Sequence, residues 1–87
     1  MKSKHQKTLE AIFEEPIRRD IKWDEVVSLI MALGGSVRHK RGSARRFDLK
    51  GISFNIHEPH PQNELKRYAV KGLRDFLITA GGIDYAI

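Results

Sequence analysis

The sequence contains no cysteine, so neither a disulfide framework nor a thiolate zinc site can hold the fold together. No apolar run approaches the length of a membrane span, and the first residues, Met1 to Lys7, are too polar for a signal sequence. A cytoplasmic protein is expected. With 87 residues the chain can bury one hydrophobic core but not two. One domain over residues 1–87 is therefore expected, with a helical extension over 1–20, a body over 21–80, and no linker, repeat or low-complexity segment. So short a chain has little stability to spare, and its core must suffice, helped at most by a partner.

Acidic residues are also in short supply. There are 16 Lys and Arg against 11 Asp and Glu, a net charge of +5, and the excess is uneven. Residues 38–46 hold Arg38, Lys40, Arg41, Arg45 and Arg46 with no acid among them. Such a run attracts polyanions through phosphate contacts and release of counterions. The competing account is a solvated charged face. Where the run falls in the fold separates the two.

Leu9, Ile12 and Phe13 recur at helical spacing and Pro16 halts them, which predicts a short helix over Thr8 to Phe13. Trp23, Val26, Val27, Ile30 and Leu33 form a second stripe, with Asp24 and Glu25 in the first turn, where the helix dipole favours acids, and Gly34-Gly35 at the end. This stripe reads as core. After Gly35 the pattern alternates, predicting strands at about 36–41, 44–49 and 52–56. The stretch from His57 to Pro61 is too rich in proline for regular structure and reads as a loop. A last helix is predicted over Tyr68 to Ala80, with Ala69, Val70, Leu73, Phe76, Leu77 and Ala80 on its apolar face and Gly81-Gly82 as its stop. The tail from Ile83 to Ile87 either frays or tucks against a neighbour.

Lys50-Gly51 suits a two-residue hairpin turn and sets the register of the second and third strands. Leu49 then faces Ile52, Phe47 faces Phe54 and Arg45 faces Ile56, on a mainly apolar side that helices can cover. The other side pairs Asp48 with Ser53, Arg46 with Asn55 and Ala44 with His57. That side is polar and open to a ligand. The expected class is α+β, a three-stranded antiparallel sheet with helices packed on one face and a short N-terminal helix in addition.

Four features together resemble the HicA toxins, the RNA-cleaving halves of HicA-HicB toxin-antitoxin systems. They are the helix-strand-strand-strand-helix order, the helix ending in Leu33-Gly34, the Gly42-Ser43 dipeptide ahead of the strand with Phe47, and His60-Pro61-Gln62-Asn63-Glu64-Leu65-Lys66 before the last helix. The resemblance covers about residues 21–80. It implies a domain shaped like a double-stranded-RNA-binding domain, α-β-β-β-α, that binds messenger RNA, cuts it as an endoribonuclease without metal or other cofactor, and is neutralised by a HicB-like antitoxin. Related folds read RNA by shape, phosphate and 2′-hydroxyl contacts. Lys40, Arg41, Ser43, Arg45 and Arg46 are the expected RNA contacts, since a guanidinium can grip phosphate oxygens in a bidentate way.

The family carries Gly-Ser-His at the start of the second strand, and that histidine is its catalytic residue. The matching residue here is Ala44. An imidazole titrates near neutrality and can exchange a proton with the ribose 2′-hydroxyl or the leaving oxygen, whereas alanine cannot. Losing such a group typically costs about 10²- to 10⁴-fold in rate. Three accounts are open at this point: a diverged relative, a chain altered to be harmless, or another histidine doing the work. His57 is the substitute the register suggests, because it lies opposite Ala44; the competing account is a solvent-exposed histidine at a strand end. His60 matches a histidine of the family's His-Pro turn and is expected to fix that loop by hydrogen bonding. His39 adds at most a phosphate contact, and His5 is expected to play no part.

His57 and His60 with Glu58 and Glu64 offer nitrogen and oxygen ligands, yet the prolines among them argue for an extended loop, and no metal site is expected. Ser43 has no acid-histidine pair beside it in sequence and reads as a tight-turn residue rather than a nucleophile. Asp48 is expected to be a hairpin partner for Lys50. The functional expectation is a HicA-like ribonuclease scaffold, and the alternative is a non-catalytic module that binds RNA or an antitoxin through the same surface.

Overall fold

A computed structural model describes residues 2–83. Its elements run α1 (Ser3–Ile12), α2 (Trp23–Ala32), β1 (Ser36–His39), β2 (Ala44–Leu49), β3 (Ile52–His57) and α3 (Arg67–Gly81). The strands form one antiparallel sheet in the order β1-β2-β3, and the helices pack on one of its faces. This is the expected α+β class, with the shape of a double-stranded-RNA-binding domain.

The hairpin follows its sequence. Leu49 pairs with Ile52, Phe47 with Phe54, Arg45 with Ile56 and Ala44 with His57. Lys50 and Gly51 both have positive φ, at 50° and 81°, the twist-compatible turn that two-residue hairpins select. Alternation then sends Phe47, Leu49 and Ile56 into the core. Trp23 stacks on Phe47 with ring centroids 5.4 Å apart, and Phe54 stacks on Phe76 at 5.5 Å. Leu29, absent from the stripe read in sequence, is fully buried beside Val26 and Ile30. The predicted apolar face of α3 is buried at all six positions, Ala69, Val70, Leu73, Phe76, Leu77 and Ala80.

The boundaries of α3 and the end of α1 fall within one residue of expectation, and three others differ for visible reasons. β1 stops at His39 rather than residue 41, because the Ala44 N–H bonds the Arg41 carbonyl at 2.9 Å and Gly42 takes φ 56°. Lys40 and Arg41 therefore lie in a turn. β3 continues to His57, one residue further than expected. α1 begins at Ser3, five residues ahead of Thr8, because its buried stripe includes the polar His5 and Thr8 along with Leu9 and Ile12. Thr8 Oγ1 donates to the Lys4 carbonyl at 3.0 Å, and His5 Nε2 shares a 2.9 Å hydrogen bond with Ser28 Oγ on α2.

The α2 exit is closed in the manner its two glycines suggest. The Gly35 N–H bonds the Ile30 carbonyl at 2.9 Å, the Gly34 N–H bonds the Met31 carbonyl at 3.0 Å, and Gly34 has φ 93°. At the opposite end, the loop before α3 is stitched to the residues before α2. Lys22 and Glu64 form an antiparallel bridge, the Trp23 N–H bonds the Asn63 carbonyl at 2.8 Å, and the Leu65 N–H bonds the Ile21 carbonyl at 2.9 Å. Ile83 packs on the core. The rest of the predicted tail, residues 84–87, lies outside the described residues.

Candidate functional site

β2 and β3 bring Ala44 and His57 side by side at the open end of the hairpin. Ala44 is half-buried and His57 exposed. Ser43, in the turn just before β2, shares a 3.2 Å hydrogen bond between its Oγ and His57 Nδ1, and its carbonyl accepts the Glu58 N–H at 2.8 Å. The imidazole is thus held through one nitrogen, and the other has no hydrogen-bond partner among the described residues. Register predicted the Ala44-His57 pairing; the Ser43 contact was not anticipated, because it depends on how the turn at 41–44 folds back.

From His57 a groove of about 490 Å³ runs along the 58–66 loop to the first turn of α3. His60, Gln62, Lys66 and Tyr68 line it along with Ser43 and His57. The His60 side chain has no hydrogen bond among the described residues. Backbone bonds of Asn63 and Leu65 tie the loop to the residues before α2. Lys66 and Tyr68 were passed over in sequence. Tyr68 had a signal, since it stands ahead of the apolar face that begins at Ala69 and is 66% exposed.

The basic residues of the 38–46 run divide into two sets. Lys40 and Arg41 are exposed in the turn and have no acidic partner among the described residues. The strand arginines are paired. Arg46 Nε donates to Asp48 Oδ1 at 3.0 Å, and Arg38 Nε lies 3.6 Å from Asp48 Oδ2. Ser53 Oγ donates to Asp48 Oδ1 at 2.7 Å. The hydrogen bond from Arg46, reinforced by Ser53, holds the Asp48 carboxyl below its ordinary value. Asp48 was expected to partner Lys50, but Lys50 sits in the turn, while Arg38 and Arg46 project from the same sheet face as the carboxylate. Its role is to separate two arginines that register sets directly opposite each other.

Arg45 belongs to the other face. Its Nε donates to Glu58 at 3.0 Å, and its Nη1 donates to the Gly42 and Ala44 carbonyls at 2.9 and 2.8 Å. With only 14% of its side chain exposed, Arg45 clamps the 42–44 turn to the start of the following loop. The expected set Lys40, Arg41, Ser43, Arg45 and Arg46 is therefore split between open cations, a histidine-bonded hydroxyl, a turn clamp and an arginine shared with Asp48. Among the described residues no three histidine or acidic side chains converge as metal ligands, and no helix is long and apolar enough to cross a membrane.

Comparison with known families finds that residues 23–81 match the model described as HicA toxin of bacterial toxin-antitoxin. The match begins at the first residue of α2 and ends at the last residue of α3. Neither the curated proteins nor the solved structures compared with the chain gave a match.

Proposed function

Because the chain belongs to the HicA family, the toxins of bacterial toxin-antitoxin systems, we propose that its sheet end is a site for cleaving messenger RNA in the cytoplasm, held in check by a HicB-like antitoxin. The observation that supports this reading is the grouping of Ala44, His57 and Ser43 beside Lys40 and Arg41, which have no acidic partner among the described residues. In the reaction the ribose 2′-oxygen attacks the adjacent phosphorus, and the bond from phosphorus to the 5′-oxygen breaks. One proton leaves the 2′-hydroxyl and another reaches the departing 5′-oxygen. A histidine at position 44 is the group that resemblance assigns to this proton traffic. His57, held through Nδ1 by Ser43, is the imidazole that remains. Lys40 and Arg41 offset the charge that gathers on the phosphate.

Ala44 itself favours a second reading, in which the same surface binds RNA or an antitoxin without chemistry, because a methyl group moves no proton. Cleavage and non-catalytic RNA binding both require phosphate recognition. RNA affinity should therefore fall steeply with rising salt, measured by anisotropy of a labelled transcript. A flat salt dependence contradicts both RNA readings and leaves antitoxin binding as the role of the surface. If His57 acts in place of the missing histidine, residual cleavage by the chain disappears in His57→Ala; cleavage that survives assigns the role elsewhere.

A further inference from the structure

We propose that the groove between the 58–66 loop and the start of α3 holds a single unstacked ribonucleotide, with its base against Tyr68. The inference rests on the RNA reading above and specifies which part of an RNA enters the site.

The groove has the size of a small-ligand site, about 490 Å³, and begins at the Ser43-His57 pair, where the proposed cleavage puts the scissile phosphate. Of the large hydrophobic side chains exposed among the described residues, Met31, Ile52 and Tyr68, Tyr68 alone lines it. An aromatic ring standing in a groove of mixed polarity offers every base a π face and needs no particular sequence. Lys66 and His60 lie along the same walls and suit the sugar-phosphate chain, while Gln62 can donate to and accept from a base edge. Of the two acids in the lining, Glu58 is engaged by Arg45, while Glu64 meets Lys22 through the backbone alone.

The chemistry points the same way. Attack by the 2′-oxygen needs that oxygen opposite the departing 5′-oxygen, an arrangement a stacked A-form helix does not present. A nucleotide must leave the stack, and its base then needs a surface. Single-stranded RNA is recognised in this manner, by bases splayed onto aromatic side chains. A fold of double-stranded-RNA-binding shape would thus take a single-stranded segment at its reactive end.

The test uses the chain as it stands, whose Ala44 allows binding to be followed by fluorescence anisotropy. Tyr68→Ala should weaken binding of a short single-stranded oligoribonucleotide roughly tenfold, with unchanged circular dichroism. Tyr68→Phe should restore it, and a blunt RNA duplex should bind the parent and Tyr68→Ala alike. Undiminished single-strand binding by Tyr68→Ala overturns the proposal, as does an equal loss for duplex and single strand. Failure of the underlying RNA reading looks different: the parent chain then binds neither RNA, and both fall together.

Discussion

At the scale of residues, the ion pairs decide which arginines and lysines a ligand can meet. Five basic residues crowd positions 38–46, but Asp48 engages Arg38 and Arg46, and Glu58 engages Arg45. Lys40→Ala and Arg41→Ala should each lower RNA affinity and reduce the salt slope by about one. Arg45→Ala should leave that slope unchanged and lower the melting temperature, because it unfastens the 42–44 turn. Titration of binding against salt, together with thermal melts, checks both expectations. The run was legible in the sequence as a concentration of charge. Its division was not, because pairing with Asp48 and Glu58 depends on strand register and on the side of the sheet each residue faces.

At the scale of elements, the hairpin was the most legible part. A two-residue turn with strict alternation on both sides leaves one register that buries Phe47 and Leu49. The turn retains strain that sequence also signals, since Lys50 adopts φ 50° without being glycine or asparagine. Lys50→Asn should raise stability by about 0.5–1 kcal/mol, read from urea denaturation. The start of α1 was the least legible, because His5 and Thr8 are polar residues occupying core-facing positions. Burial, with Lys4 and Lys2 nearby, holds His5 below the ordinary histidine value of 6.5. Its Nδ1 is buried without a hydrogen-bond partner, so a proton there has no acceptor. The unfolded chain takes up that proton first as pH falls. The contribution of His5 is therefore complete above 6.5 and declines as pH drops toward the depressed folded-state value. Melting temperatures followed through that range should fall less steeply in His5→Gln than in the parent.

At the scale of the whole molecule, the N-terminal helix is tied to the same core as the sheet. Leu9 and Ile12 belong to one buried cluster with Phe47, Leu73 and Leu77. Arg74 of α3 donates to the Ile12 and Glu14 carbonyls at 2.6 and 2.7 Å, pairs with Glu15 and lies over the Phe13 ring. Ile12→Ala should accordingly cost about 2–4 kcal/mol in denaturant unfolding, whereas a loosely attached arm would cost little. Residues that sequence reading set apart as an extension thus brace the helix whose first turn bounds the groove. The site was legible as the pairing of Ala44 with His57. Its wall was not, because the loop 58–66 is positioned by backbone bonds to Ile21 and Trp23, far away in the chain.

The central claim is that this fold presents RNA at position 44 for cleavage by an imidazole. Its most direct test is Ala44→His, assayed on messenger RNA in the presence of a chelator and for growth arrest on expression. The account predicts cleavage about 10²- to 10⁴-fold above that of the parent, with arrest relieved by a HicB-like antitoxin. A folded Ala44→His protein that binds RNA and neither cuts it nor slows growth would contradict it.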